Sequence, residues 1–119
     1  MGDLSANFSR SEFQCKCGCK KFNITPALIK GLQELRDYLG MPIIVNSGTR
    51  CPEHNAAVGG TRNSYHIKGY AADIRVDGLT SKELARAAEQ IKVFRYGGIG
   101  VYDTFVHVDV RGHKARWRG

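Results

Sequence analysis

"SYHIKGYAADIRV", residues 64–76, changes character at its middle. Residues 59–69, "GGTRNSYHIKG", carry the Gly, Asn and Ser punctuation of a loop. From Tyr70 the pattern alternates, with Tyr70, Ala72, Ile74 and Val76 on one side of an extended chain and Ala71, Asp73 and Arg75 on the other. Asp73 is thus expected to point away from the larger apolar side chains, toward whatever space the loop around His66 closes. Gly69 lets the chain turn between the two.

Further along, "YGGIGVYDTFVHVDVR" (96–111) reads as two strands joined by a turn at Asp103 and Thr104. The second strand sets Val106, Val108 and Val110 on one face and Phe105, His107, Asp109 and Arg111 on the other. A row of three polar side chains on one strand face marks a cleft more often than a core.

The remaining elements can be read from their ends. "TPALIKGLQELRDYLG" (25–40) predicts a helix capped by Thr25, opened by Pro26 and stopped by Gly40, with Leu28, Leu32, Leu35 and Leu39 as a buried stripe widened by Ile29. "PIIVNS" (42–47) is a short strand candidate, and "CPEHNAAVGG" (51–60) looks like a turn of helix ended by two glycines. "TSKELARAAEQI" (80–91) carries a capping box, Thr80 with Glu83, and buries Leu84, Ala87, Ala88 and Ile91.

The chain has 119 residues, enough for one core and too few for two, so a single domain over 1–119 is expected. Apolar residues make up 42% and charges of both signs are present, as in globular rather than disordered chains. The apolar runs are too short for a membrane span, and "MGDLSANFSR" (1–10) lacks the apolar stretch of a signal peptide. Synthesis in the cytoplasm is therefore expected.

Net charge is +7. Much of the excess falls in a basic C-terminal tail, 111–119, where Arg111, Lys114, Arg116 and Arg118 have no carboxylate within the segment. Such a balance suits an anionic polymer, and charge alone leaves nucleic acid, wall polymer and acidic membrane surface open, as well as a merely solvated tail.

Cys15, Cys17 and Cys19 form an N-terminal cysteine-rich segment (15–19), and Cys51 stands apart. A structural zinc site, a disulfide from the cluster to Cys51 and free thiols all remain open, the C-x-C-x-C spacing being tighter than the usual zinc knuckle.

Of the four histidines, His66 in the loop and His107 in the late strand can join Asp73 as two imidazoles and one carboxylate, leaving His54 and His113 as surface residues. That donor set suits zinc with an open fourth position, an arrangement for hydrolysis of an amide or ester. The residues alone also allow a plainer outcome, with His66 capping a turn and Asp73 bonding a backbone amide.

"SYHIKGYAADI" resembles the S-x-H-x-x-G-x-A-x-D pattern of the zinc D-alanyl-D-alanine carboxypeptidases. That family includes vancomycin-resistance D,D-dipeptidases and phage L-alanyl-D-glutamate endolysins, and shares its fold with the Hedgehog signalling domain. "NSGTRCPEHNAAVGG" (46–60) is similar to its upstream S-G-x-R segment and "GGIGVYDTFVHVDVR" (97–111) to its closing strand, while "SRSEFQCKCGC" (9–19) resembles its compact single-domain branch.

The resemblance implies an α+β fold: a small antiparallel sheet with helices on one face and a zinc cleft on the other. It implies one catalytic Zn2+ on His66, Asp73 and His107, Arg50 orienting the substrate carbonyl or carboxylate, and Ser64 bonding substrate or loop. Several relatives carry Glu three residues before the last ligand, but position 104 is Thr, so the general base must be sought elsewhere. Asp109, about 6–7 Å along the same strand face, could be that base or could hold His107 in its tautomer. Asp103 in the turn is the second candidate, and Tyr102 could donate to a developing oxyanion or simply pack.

The activity implied is that of a zinc metallopeptidase, carboxypeptidase or endopeptidase, cutting a bond in murein stems or cross-bridges. The chain is expected to work as a monomer on peptidoglycan peptides, without nucleic acid or membrane insertion. It would reach the wall or periplasm by phage-type release, as a phage or prophage endolysin does. The alternative is a non-catalytic zinc-fold module that binds cell-wall polymer. A second, structural zinc at the cysteines is a further expectation.

Overall fold

A computed structural model describes Phe8, residues 24–48 and residues 70–119. Helix α1 spans Pro26–Leu39 and ends as its sequence predicts. The Thr25 hydroxyl accepts the N–H of Ala27 at 3.1 Å, and Gly40, at φ 65°, closes the helix with its N–H on the Arg36 carbonyl. Its buried stripe is Leu28, Ile29, Leu32 and Leu35.

Strand β1 (Ile44–Ser47) and strand β2 (Ala71–Arg75) follow, then helix α2 (Ser81–Ala88). The α2 capping box is complete: Thr80 accepts from the Glu83 N–H and the Glu83 carboxylate accepts from the Thr80 N–H. A short helix α3 (Lys92–Arg95), not foreseen from the sequence, seats Phe94 in the core and leads into β3 (Gly98–Val101), β4 (Val106–Asp109) and β5 (Ala115–Arg118).

The five strands run in the order β1-β2-β4-β3-β5. Every pairing is antiparallel except the last, where β5 lies parallel to β3, so the sheet is mixed rather than wholly antiparallel. The C-terminal segment is correspondingly more than a basic tail: Ala115–Arg118 is a sheet strand. Its charges also find distant partners, since Arg116 bonds both Glu89 carboxylate oxygens at 2.7 and 2.9 Å. Arg116 also reaches the carbonyls of Gly97 and Arg95, and so ties β5 to the helical layer.

Alternation divides the sheet by chemistry. Ala72, Ile74, Ile99, Val106 and Val108 face the helices and merge with Leu28, Leu32, Leu35, Leu84 and Phe94 into one core, which also takes in Phe8. Burying side chains of this size contributes about 1.5–3 kcal/mol each, and this face holds the sheet in register. The opposite face carries Asp73, His107 and Asp109, with the bare backbone of Gly98 and Gly100 beside them. No helix among the described residues is long and apolar enough to cross a membrane.

Candidate metal centre

Register builds the polar face. Asp73 on β2 pairs directly with His107 on β4, His107 pairs with Gly100 on β3, and Gly100 pairs with Trp117 on β5. One row across four strands thus holds a carboxylate, an imidazole, a gap and an indole. Asp73 is 6% exposed and His107 9%, so both polar groups need partners inside the protein.

They have them. His107 Nδ1 lies 3.1 Å from Asp73 Oδ1, and His107 Nε2 lies 2.8 Å from Asp109 Oδ2. Asp109 is wholly buried and both its oxygens are engaged. Oδ1 accepts from the Gly98 N–H at 2.8 Å and from Arg111 Nε at 2.9 Å, and Oδ2 accepts from Arg111 Nη2 at 2.6 Å. Burial works against ionisation here, but the bonds from His107, Arg111 and Gly98 prevail and hold the Asp109 carboxyl far below the usual carboxylate range.

Because Asp109 is an ionised acceptor, the proton on that side of the imidazole belongs to His107 Nε2. In the neutral ring, Nδ1 then turns a lone pair toward Asp73 Oδ1, and two acceptors 3.1 Å apart repel unless a positive charge joins them. A second proton on the ring can do so: burial disfavours the imidazolium, yet Asp109 and Asp73 together raise the His107 pKa above its ordinary value. A divalent cation can do the same. Two ligands of one tetrahedral zinc have donor atoms about 3.3 Å apart, close to the observed spacing. The donor set fits the ion.

Asp73 and His107 are the two of the three expected ligands that the structure describes and brings together; His66 lies outside the described residues, as do Arg50, Ser64, Cys15, Cys17, Cys19 and Cys51. Among the described residues no three His, Cys, Asp or Glu side chains converge as a complete metal site. Asp103 is exposed in the turn between β3 and β4. Tyr102 stacks on Phe105 with ring centroids 4.4 Å apart, and its hydroxyl accepts the Trp117 Nε1–H at 2.9 Å. Accepting that bond leaves its own proton to be donated.

Alternation had placed Arg111 on this face, but its grip on Asp109 and the presence of Trp117 at the site were not anticipated. The signal for Trp117 was present in the alternation of "KARWR" (114–118) and in Gly98 and Gly100, two residues apart on β3. Glycines so spaced clear one face of a strand. A Cβ on Gly100 would collide with the Trp117 indole, and one on Gly98 with the Asp109 carboxylate.

With this arrangement in place, comparison with known proteins fixes the class: the chain belongs to the peptidase M15 family, whose model matches residues 6–109. Among individual relatives, it is 36% identical over 104 residues to a probable peptidoglycan L,D-endopeptidase MepK of Haemophilus influenzae, covering 79% of this chain and 54% of the relative. The peptidoglycan L,D-endopeptidase MepK of Escherichia coli K12 is 33% identical over 104 residues, covering 80% and 55%. The zinc D-Ala-D-Ala carboxypeptidase of Streptomyces albus G is 36% identical over 87 residues, covering 72% of this chain and 34% of its own length. The chain spans about half the length of the MepK relatives it matches.

Proposed function

We propose that the chain is a zinc-dependent peptidase acting on peptidoglycan, with Asp73, His107 and His66 as ligands. The observation that carries this reading is the Asp73–His107 pair, two metal-compatible donors held 3.1 Å apart within the family-matched region. When bound, zinc polarises a substrate carbonyl and makes water a nucleophile near neutral pH. The relatives matched over the longer stretch are named L,D-endopeptidases, and we take cleavage inside a murein peptide, rather than trimming of its end, as the activity.

The chain's own residues then divide the work. Asp109 serves as the positioning group of His107: its oxygens are already engaged and its carboxyl is held ionised, which makes it a poor proton acceptor. Asp103 becomes the carboxylate flanking His107 in sequence that is left for proton transfer, Tyr102 donates to the developing oxyanion, and Arg50 and Ser64 bind the substrate. One catalytic zinc suffices for this reading.

Digestion of purified murein tests it. Wild-type protein should release peptide fragments, stop with a chelator and resume with added zinc. One zinc per chain without any cleavage would instead favour the non-catalytic wall-binding module, for which the Thr at position 104 speaks.

A further inference from the structure

The family match ends at Asp109, but the hydrogen-bonded row does not. Arg111 grips the Asp109 carboxylate with Nε, at 2.9 and 3.0 Å to its two oxygens, and Nη2, at 2.6 Å to Oδ2, and its backbone N–H adds a fourth bond at 3.2 Å. Trp117 lies against both neighbours of that carboxylate: its ring centroid is 5.0 Å from that of His107 and 5.1 Å from the Arg111 guanidinium carbon. The indole is itself fixed, seated on Gly100 and bonded through Nε1 to Tyr102.

We propose that Arg111 and Trp117 are positioning residues for the metal, supplied by the segment beyond the family-matched region, and that they set the orientation of the His107 imidazole. The inference rests on His107 being a zinc ligand. A carboxylate facing a histidine fixes one ring nitrogen, but the carboxylate must itself be kept from rotating. The planar guanidinium does this because two parallel N–H bonds define the plane of Asp109, which a point-like ammonium cannot do. Trp117 stacks over the cation, keeps water from one side of the ion pair and blocks the imidazole from swinging toward β5. The Nδ1 atom is thereby left pointing at Asp73, where an ion would be shared.

A merely structural Arg111 would neutralise buried Asp109, and any cation of similar reach would serve. The two roles separate in the zinc dissociation constant, read by competition with a chromophoric chelator, beside the thermal midpoint of the zinc-free protein. Arg111→Lys should fold and bind zinc about 10–100-fold more weakly, the usual effect of changing a group that orients a ligand. Trp117→Leu should weaken zinc by about tenfold. Arg118→Gln, exposed on the same strand, should stay within about twofold of wild type.

Arg111→Lys and Trp117→Leu that both bind zinc within about twofold of wild type would overturn the proposal. If Arg111→Lys does not fold, Trp117→Leu decides by the same criterion. His107→Ala, run in parallel, distinguishes the two levels of failure. Zinc kept by His107→Ala sinks the ligand reading itself, whereas zinc lost there but kept by the Arg111 and Trp117 variants sinks only the positioning role.

Discussion

Asp73 and His107, 34 positions apart in sequence, stand directly opposed on β2 and β4 with Oδ1 and Nδ1 3.1 Å apart. A positive charge between the two acceptors, whether a shared ion or a second ring proton, accounts for so close an approach, and loss of metal separates the two. With a shared ion, Asp73→Asn and His107→Ala should each cost more than about 100-fold in zinc affinity, since altering groups that only orient ligands already costs about 10–100-fold. Metal content per chain after gel filtration, with murein digestion beside it, checks this. A variant that kept both its zinc and its cleavage would remove that residue from the ligand set.

Asp109 is the electrostatic hub of the row. Asp109→Ala leaves the Arg111 fork and the His107 Nε2–H facing a buried void, and should destabilise the zinc-free protein by about 3–5 kcal/mol in urea unfolding. Asp109→Asn keeps the shape and part of the bonding, and about 1–3 kcal/mol is expected. Equal stability of all three proteins would show that the network contributes nothing to the fold.

Gly100 makes room for the indole. Gly100→Ala places a methyl group where Trp117 lies, so the ring must move at a cost of about 1–3 kcal/mol. With a single tryptophan in the chain, the displacement is readable as a red shift of intrinsic fluorescence. An unchanged emission maximum at wild-type stability would mean that the indole does not occupy this seat in solution.

The Glu89–Arg116 pair should respond to acid. Hydrogen bonds from Arg116 lower the Glu89 pKa below its ordinary 4.5, with partial burial opposing them. The folded state thus favours the ionised form: the contribution is complete above the ordinary carboxylate pKa and disappears as the pH falls through the lowered folded-state value. Both partners are partly exposed, so the gap between wild type and Glu89→Gln should be at most about 1 kcal/mol at neutral pH. It should close on acidification, as thermal midpoints measured across that range would reveal. A gap that widened with acid would contradict the assignment.

What could be read without coordinates was local. Thr25, Pro26 and Gly40 fix α1 because caps act within one turn, and the period-two pattern of 70–76 places Asp73 on the face opposite Ala72 and Ile74. The same rule puts His107 and Asp109 together on β4. The status of the last residues was not legible, because Arg116 finds Glu89 27 positions away and β5 joins the sheet beside β3 rather than beside its neighbour in sequence, β4. Seen in isolation, four unpaired cations resemble a solvated tail. Tertiary pairing makes Arg116 part of the structure, while Arg111 finds Asp109 just ahead of the segment.

The parallel placement of β5 has one more consequence. Among the described strands it forms an outer margin of the sheet, and such margins offer open amide and carbonyl groups to any passing strand. Here the margin is four residues long, flanked by Lys114 and ending at Arg118, both exposed. Two copies meeting along it would bring cation against cation before a ladder could form. The positive charge at this margin thus works against extension of the sheet into a second molecule.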